Sequence, residues 1–327
     1  MTAPAPSSAA APSPAAPTLS VVLCAYTLDR WDEIVAAVES LRAQTVAPGQ
    51  VVLVSDHNDD LFARARAAFP DVRCVASAGP RGLSGARNTG VAEATGDVVA
   101  FLDDDAAAEP DWVARMLDAY ADGAAAGPVI GVGGGVLPAW QAPRPRWFPD
   151  EFLWVVGCSY TGLPEGRAEI RNPIGANMSF LRSTFAQAGG FDPTMGRMGK
   201  DAAGCEETEF AIRARAAVDG GRVLLEPDAR CRHSVTRERV TRRYFRRRCR
   251  AEGRSKALVS RLTGSDAALS TERAYVTRTL PRGVLRGLGA ALRGDLGGLG
   301  RAYAIVEGTA LTATSYAAMR LRLAVRP

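Results

Sequence analysis

The sequence predicts an α/β fold: a mostly parallel central sheet flanked by helices, with a helical C-terminal extension after it. Three observations carry that reading. Short runs of β-branched and aromatic residues alternate with segments of helical period over residues 19–226, the pattern of repeated β-α-β units. Two of those runs lead into acids, one through Ser55 to Asp56 and one without a spacer into Asp103-Asp104-Asp105, where an open α/β sheet gathers its ligands. Past residue 235 the composition turns to arginine and then to Ala, Gly and Leu at helical spacing. The chain thus divides into an Ala/Pro-rich tail expected to be disordered (1–17), an α/β domain (18–235) and a basic, amphipathic helical region (236–327).

Leu19 to Tyr26 reads as the first strand, and Trp31, Ile34, Val35, Val38 and Leu41 then recur at helical spacing as far as Gln44. Pro48-Gly49 ends that helix. Val51 to Val54 forms a second strand running into Ser55, Asp56, His57 and Asn58, followed by a helix over 61–69 and a short strand over 72–75. Residues 79–90 are a glycine-punctuated loop bearing Arg81 and Arg87, leading into a short helix. Val98 to Leu102, apolar throughout and too short for an ordinary helix, is a strand buried on both faces. Gly131-Val-Gly-Gly-Gly-Val136 has valine where a dinucleotide fingerprint needs its third glycine, so it reads as a fifth strand shaped for close backbone approach.

From Pro138 to Pro149 the aperiodic, Pro- and Trp-rich sequence (Trp140, Trp147) reads as a loop over the cleft, with Trp147 available to an acceptor. A short strand over 172–181, a turn at Gly189–Pro193 and a mobile glycine-rich loop over 194–204, with Lys200 and Asp201, come next. Residues 205–217 form a helix with Glu206, Glu207 and Glu209 in its first turn, where acids complement the helix dipole and one can also serve as a base in the cleft. A strand over 222–226 is closed by Pro227, and His233 follows in a polar segment. Arg239, Arg242, Arg243, Arg246, Arg247, Arg250 and Arg254 line one helix face, suited to anionic lipid, a lipid-linked diphosphate or nucleic acid, or simply to solvent.

Asp103, Asp104 and Asp105 repel one another unless a positive charge is present. Hard divalent cations, Mg²⁺ or Mn²⁺, bind through one or two carboxylates with phosphate oxygens completing the shell. The alternative is an acidic loop capping the next helix. Right-handed crossovers put the carboxyl ends of successive parallel strands on one edge, so Asp56 and the Asp triplet should converge on one cleft, with Arg81 and Arg87 between them for a nucleoside diphosphate.

With 327 residues and 47% hydrophobic composition, the chain can bury a large core. Its net charge of +5 is modest and concentrated near the C-terminus. Six scattered cysteines without a Cys-x-x-Cys pair argue against zinc and against a disulfide scaffold, and suit a reducing cytoplasm. The tail lacks the basic start and apolar core of a signal peptide, and no apolar stretch approaches the ~20 residues of a membrane span. The expected location is cytoplasmic, with peripheral attachment to the inner face of an anionic membrane.

Taken in order, these motifs resemble the inverting family 2 glycosyltransferases with a GT-A type fold, over roughly residues 18–260. The resemblance rests on the first strand, on Asp56, and on Gly-Leu-Ser-Gly-Ala-Arg-Asn-Thr-Gly (82–90). It rests also on Phe-Leu-Asp-Asp-Asp (101–105) as the family's metal-binding Asp-x-Asp, on Gly-Ala-Asn-Met-Ser-Phe (175–180) with Gly-Gly-Phe-Asp (189–192), and on Glu206-Glu207. It implies a nucleotide-diphospho-sugar transferase. Ala25, Tyr26 and Asp56 would meet the nucleobase of a UDP- or dTDP-linked donor, and Arg81 or Arg87 the nucleotide. Asp103 and Asp104 would lie against the nucleotide, Asp103 and Asp105 would hold ribose and Mg²⁺ or Mn²⁺, and His233 would add a late metal or diphosphate contact. Glu207, where the family usually has Asp, would be the catalytic base, with Glu206 the alternative. Asn177 and Trp147 would lie toward the acceptor, a glycan, a lipid-linked sugar or a small molecule. A nucleotidyltransferase is the competing enzyme, although no Gly-rich loop follows the first strand. A non-enzymatic module using the arginine stripe is the other competitor, with nucleic acid the less expected partner.

Overall fold

The computed structural model describes residues 17–122, 127–195, 204–269 and 272–325. The tail up to residue 16, and most of the glycine-rich segment with Lys200 and Asp201 expected as a mobile loop, lie outside the described residues. The first half builds β1 (Leu19–Ala25), α1 (Trp31–Arg42), β2 (Gln50–Ser55), α2 (Asp59–Ala68), β3 (Arg73–Ala76), α3 (Leu83–Glu93), β4 (Val98–Asp103), β5 (Ala106–Ala108) and α4 (Trp112–Tyr120). There follow β6 (Val129–Trp140), β7 (Ala168–Glu169), β8 (Asn177–Leu181), α5 (Arg182–Ala188), α6 (Glu206–Ala217) and β9 (Arg222–Val235). The C-terminal region is helical: α7 (Arg242–Thr263), α8 (Ser265–Ala268), α9 (Glu272–Ala274) running into a π-turn Tyr275–Thr279, α10 (Leu280–Leu292) and α11 (Gly297–Val325).

Among the described residues nine strands form one sheet in the order β3-β2-β1-β4-β8-β6-β9-β5, with β7 on β9. The β3-β2-β1-β4 half is parallel, and β8 then runs antiparallel between β4 and β6. Pairing of Ala25 with Ser55 and of Cys24 with Asp103 brings the polar ends of β1, β2 and β4 to one edge. Alternate residues of β4 enter two cores: Val98, Ala100 and Leu102 face one, Val99 and Phe101 the other. The strand is therefore buried on both faces, and each such aliphatic side chain contributes about 1.5–3 kcal/mol.

Phe245, Leu280 and Ile305 pack into the same core as Leu23, Ile34 and Trp112, so α7, α10 and α11 close over one side of the sheet. Polar contacts reinforce this: Arg171 Nη1, from the segment between β7 and β8, lies 2.7 Å from Glu272 Oε2, and Lys256 of α7 pairs with the same Glu272.

Several elements differ from the sequence reading; among them, α3 begins at Leu83 inside the expected glycine-punctuated loop over 79–90, so Arg87 sits on a helix. Helix α4, allowed for in the sequence only as the element an acidic loop would cap, buries Trp112, Val113, Met116 and Ala119 in a run broken only by single polar residues. The expected loop from Pro138 begins later, because β6 continues to Trp140 by pairing with Val235. Likewise Pro227 does not end β9. A register irregularity between Gly134 and Val136 absorbs the residues around it, and the strand resumes at Cys231, so His233 sits in a buried strand and not a polar segment. Bulges of this kind are how a strand accommodates proline.

Asn177, expected on the acceptor side, is instead a core residue with 0% exposure. Its Oδ1 accepts from Trp112 Nε1 at 2.8 Å, and its Nδ2 donates to the carbonyls of Gly135 and Ala229, both at 2.9 Å. Residue 134 has to be glycine here: a Cβ would stand 2.1 Å from the Ala229 carbonyl and 2.3 Å from Asn177 Nδ2. Trp147, also expected toward an acceptor, packs against Phe148 and Phe245 and carries the Arg242 guanidinium 4.3 Å above its ring. Neither residue lines the central cavity. Asn177→Ala should destabilise the fold by at least about 3 kcal/mol, since it strands a buried indole N–H and two carbonyls at ~1–3 kcal/mol for each orphaned group. Urea unfolding followed by tryptophan fluorescence checks this, and an unchanged midpoint would contradict it.

Candidate active site

The C-terminal edge of β4 carries Asp103, and the chain then crosses through Asp104 and Asp105 into β5. Asp105 is nearly surrounded by cationic and imidazole groups. His233 Nε2 is 3.1 Å from its Oδ1; Arg239 Nη2 at 3.1 Å and Arg30 Nη1 at 3.2 Å meet its Oδ2. Burial raises the Asp105 pKa, but His233, Arg239 and Arg30 outweigh that and hold the carboxyl well below the usual range. Asp104 goes the other way. Burial, with Asp105 beside it, pushes its pKa up to about 7, although Arg30 Nη1 lies 3.0 Å from Oδ1. Its Oδ2 is buried with no hydrogen-bond partner.

Arg30 and Arg239 were not expected at the site. Arg30 lies in the polar break after β1. Arg239 was assigned to the arginine face of the following helix, but α7 begins only at Arg242 and Arg239 turns inward, 7% exposed. Spacing alone does not reveal which arginine of a run leaves the helix.

Arg87 forms a second centre. It is 2% exposed, with Nη1 2.8 Å from Glu206 Oε1, Nη2 3.5 Å from Asp103 Oδ1, and Nη2 donating to the Gly175 carbonyl at 2.9 Å. The guanidinium also lies over the rings of Phe101 and Phe191. It is thus a bracket joining α3, β4 and α6, more than a free nucleotide contact. Glu206 is committed to Arg87 through Oε1, while its buried Oε2 has no partner. Glu207 is only partly buried; burial first, and neighbouring Glu206 second, push its pKa up to about 7. Cys205, just before them, has φ +72°, a left-handed turn that starts α6 with both glutamates at the cavity.

A third group lies at the ends of β1 and β2. Asp56 Oδ2 accepts from the Gly82 amide at 3.0 Å, and Asp56 Oδ1 lies 2.8 Å from His57 Nδ1. Asn58 Nδ2 donates to the Tyr26 carbonyl at 3.1 Å, and Arg81 Nη2 reaches the His57 carbonyl at 3.4 Å. Gly82 has φ +125°, open to glycine, which lets its N–H turn toward Asp56. Ala25, Tyr26, Asp56 and Arg81, far apart in sequence, therefore share one rim.

Asp103, His233, Arg87, Glu206 and Glu207 all line one cavity of about 840 Å³. Asp104 and Asp105 are buried and do not line it, and the rim of Ala25, Tyr26, Asp56 and Arg81 also lies outside its lining. Among the described residues Asp103, Asp105 and His233 offer ligand atoms within 4.8 Å of one another. Two carboxylates and one imidazole form a donor set that suits Mg²⁺ or Mn²⁺, and beside them the buried Asp104 Oδ2, left without a partner, is consistent with an added positive charge. These residues fit a divalent cation.

The family model for glycosyl transferase family 2 matches residues 20–188. Glucosyl-dolichyl phosphate glucuronosyltransferase of Haloferax volcanii is 40% identical over 220 residues, 66% of this chain and 69% of that protein. Succinoglycan biosynthesis protein ExoO of Rhizobium meliloti is 28% identical over 271 residues, 80% of this chain and 69% of that one. Among solved structures, the mannosyltransferase PcManGT of Pyrobaculum calidifontis, in complex with GDP-Man and Mn²⁺, superposes with a TM-score of 0.55 at 19% identity, covering 92% of this chain and 89% of that one. GalNAc-T7 with UDP, GalNAc and Mn²⁺ gives 0.51 at 15% identity, over 79% of this chain and 55% of that one. The nucleotidyltransferase and non-enzymatic readings are thereby set aside, and the chain belongs to glycosyltransferase family 2 and is a glycosyltransferase of GT-A type fold.

Proposed function

We propose that this enzyme transfers a sugar from a nucleoside-diphosphate donor, UDP- or dTDP-linked, to a hydroxyl of a lipid-phosphate-linked sugar, inverting the anomeric centre. The observation that supports it best is that Asp103, His233 and Glu207 line a single cavity. The acceptor class draws on the Haloferax volcanii relative, whose name describes a glucosyl-dolichyl phosphate substrate. Solved structures of the same fold hold GDP-Man or UDP together with Mn²⁺.

In this reading Tyr26, Asp56 and Arg81 receive the nucleobase end of the donor, and Asp103 the ribose. Asp103, Asp105 and His233 would hold Mg²⁺ or Mn²⁺, which when bound offsets the charge growing on the departing diphosphate. Glu207 takes the proton from the acceptor hydroxyl. It is the better base of the pair because it is partly open to the cavity and its raised pKa sits near neutrality, where proton transfer is most effective. Glu206 is occupied as the counter-ion of Arg87 and acts by positioning the start of α6. Arg87 in turn fixes Asp103 at the mouth of β4.

Glu207→Gln should lower kcat by about 10²–10⁴, the range of a lost general base, with little change in the donor KM. Steady-state assays of diphosphate release would read this, and a variant within a few-fold of wild type would remove Glu207 from the mechanism. Because the Glu207 pKa is raised, the carboxyl is protonated and inactive as a base below about pH 7. The rate should therefore rise with pH through about 7 and level off above it, and Glu207→Gln should flatten that limb.

A nucleoside diphosphate with Mn²⁺ should raise Tm by several degrees, corresponding to about 2.7 kcal/mol at a hundredfold excess over Kd. Chelation or Asp105→Asn should abolish the Mn²⁺-dependent part. A full shift in Asp105→Asn would exclude this site.

A further inference from the structure

Large exposed apolar side chains are unevenly spread over the described residues. Up to residue 235 only Tyr26 and Val46 are of this kind, whereas α10, α11 and their connection expose Leu285, Leu288, Leu292, Leu296, Leu299, Tyr303 and Val306. Leu292 is 90% exposed, Leu296 71% and Leu285 67%. On α10 the three leucines are three and four residues apart and form one stripe; Leu299, Tyr303 and Val306 repeat that spacing on α11. The opposite faces of both helices are fixed by tight packing. Gly287 and Gly298 meet where a Cβ on Gly298 would stand 2.2 Å from the Gly287 carbonyl, and Ala302, Ala304 and Ile305 are buried. The apolar stripe is thus the outward surface of a well-packed hairpin.

Its charge has one sign. Residues 280–325 hold six arginines and two acids. Both acids are already neutralised: Asp295 pairs with Arg146 and Arg301, Glu307 with Arg242 and Arg246. Arg282 on α10 and Arg293 just past its end are exposed beside the leucines. On the other side, Arg242 sits 5.3 Å from the Tyr303 ring and opens the arginine stripe of α7, where Arg243, Arg247, Arg250 and Arg254 face outward. An apolar band bordered on both sides by arginine matches an anionic bilayer surface, with leucines among acyl chains and guanidinium groups at the phosphates. A second copy across a two-fold axis would instead bring these arginine rims together. No helix among the described residues is long and apolar enough to cross a membrane, so the contact is interfacial.

We propose that the α10–α11 hairpin is a docking face that inserts into the surface of an anionic phospholipid bilayer, with the α7 arginines holding the headgroups. The same two helices wall the catalytic cavity through Leu280, Thr309, Thr312 and Tyr316. Docking therefore brings the cavity holding Glu207 beside the lipid surface from which a lipid-borne acceptor would come. Docking itself does not depend on the proposed acceptor; only that consequence rests on it.

The test is flotation of the full chain with phosphatidylcholine vesicles containing about a third phosphatidylglycerol, compared with phosphatidylcholine alone. Wild type should float with the anionic vesicles, and the double variant Leu288→Asp/Leu292→Asp should bind at least tenfold more weakly while retaining wild-type Tm and metal-dependent release of the donor diphosphate. Arg243→Gln/Arg250→Gln should weaken binding and reduce its salt dependence. Absence of vesicle binding by wild type, or unchanged binding by the leucine variant, would overturn the proposal. A dimer in light scattering that dissociates in the leucine variant would also overturn it, by showing that a second copy covers the face, as would equal capture by single-stranded nucleic acid in the leucine variant and wild type with no vesicle binding. Loss of glycosyl transfer with flotation intact would count against the acceptor reading and leave docking supported.

Discussion

Three carboxylates at the end of one buried strand repel one another, and the fold around them is arranged to supply compensating charge. Asp105 takes it from His233 on β9, from Arg239 just beyond it and from Arg30 just after β1. Asp103 takes it from Arg87 on α3. Each of these groups arrives from a different segment, so the acidic edge can exist only when β1, β4, β9 and α3 are assembled. The compensation is uneven: Asp105 is held ionised while Asp104 is pushed toward protonation with one oxygen unpartnered. A site left short of positive charge in this way is suited to receive a divalent cation, and so to respond to the charge that develops on a leaving diphosphate.

The same logic separates the two glutamates at the start of α6. They are adjacent in sequence and both reach the cavity, yet their environments set different roles. Arg87 fixes Glu206 as a structural ion pair whose removal would leave a buried guanidinium unbalanced. Glu207 lacks such a partner, feels the charge of Glu206 and loses solvent, and its pKa rises toward neutrality. One buried arginine thus ties Asp103 at the end of β4 to the start of α6.

The helical C-terminal region belongs to the same arrangement. Phe245, Leu280 and Ile305 bury against the sheet's own core, and Glu272, paired with both Arg171 and Lys256, links the sheet side of the cavity to α7. Aliphatic burial holds this region in place, while ion pairs at the lining set the cavity's shape. The outward face, apolar and bordered by arginine, is then free to meet a surface without disturbing the chemistry behind it.

Local sequence was enough for much of this protein. The apolar run ending in Asp103-Asp104-Asp105, the helical period from Trp31 and the glycine-punctuated turn before Arg87 each encode their element through short-range sterics and burial, and strand direction follows from the crossovers between them. It also singled out Asp103, Asp105 and His233, whose ligand atoms the fold brings together, and Glu207, which lines the same cavity as Asp103. Tertiary structure decided what depends on distant partners: that β9 continues past Pro227 because β6 offers it a second register, and that Asn177 is consumed by Trp112 and two carbonyls in the core. It decided, too, that Arg239 leaves its helical stripe to neutralise Asp105, and that Glu206 and Glu207 differ. These outcomes are set by which groups share a low-dielectric space, and residues as far apart in the chain as Arg30 and Arg239 acquire that relation only when the chain has folded.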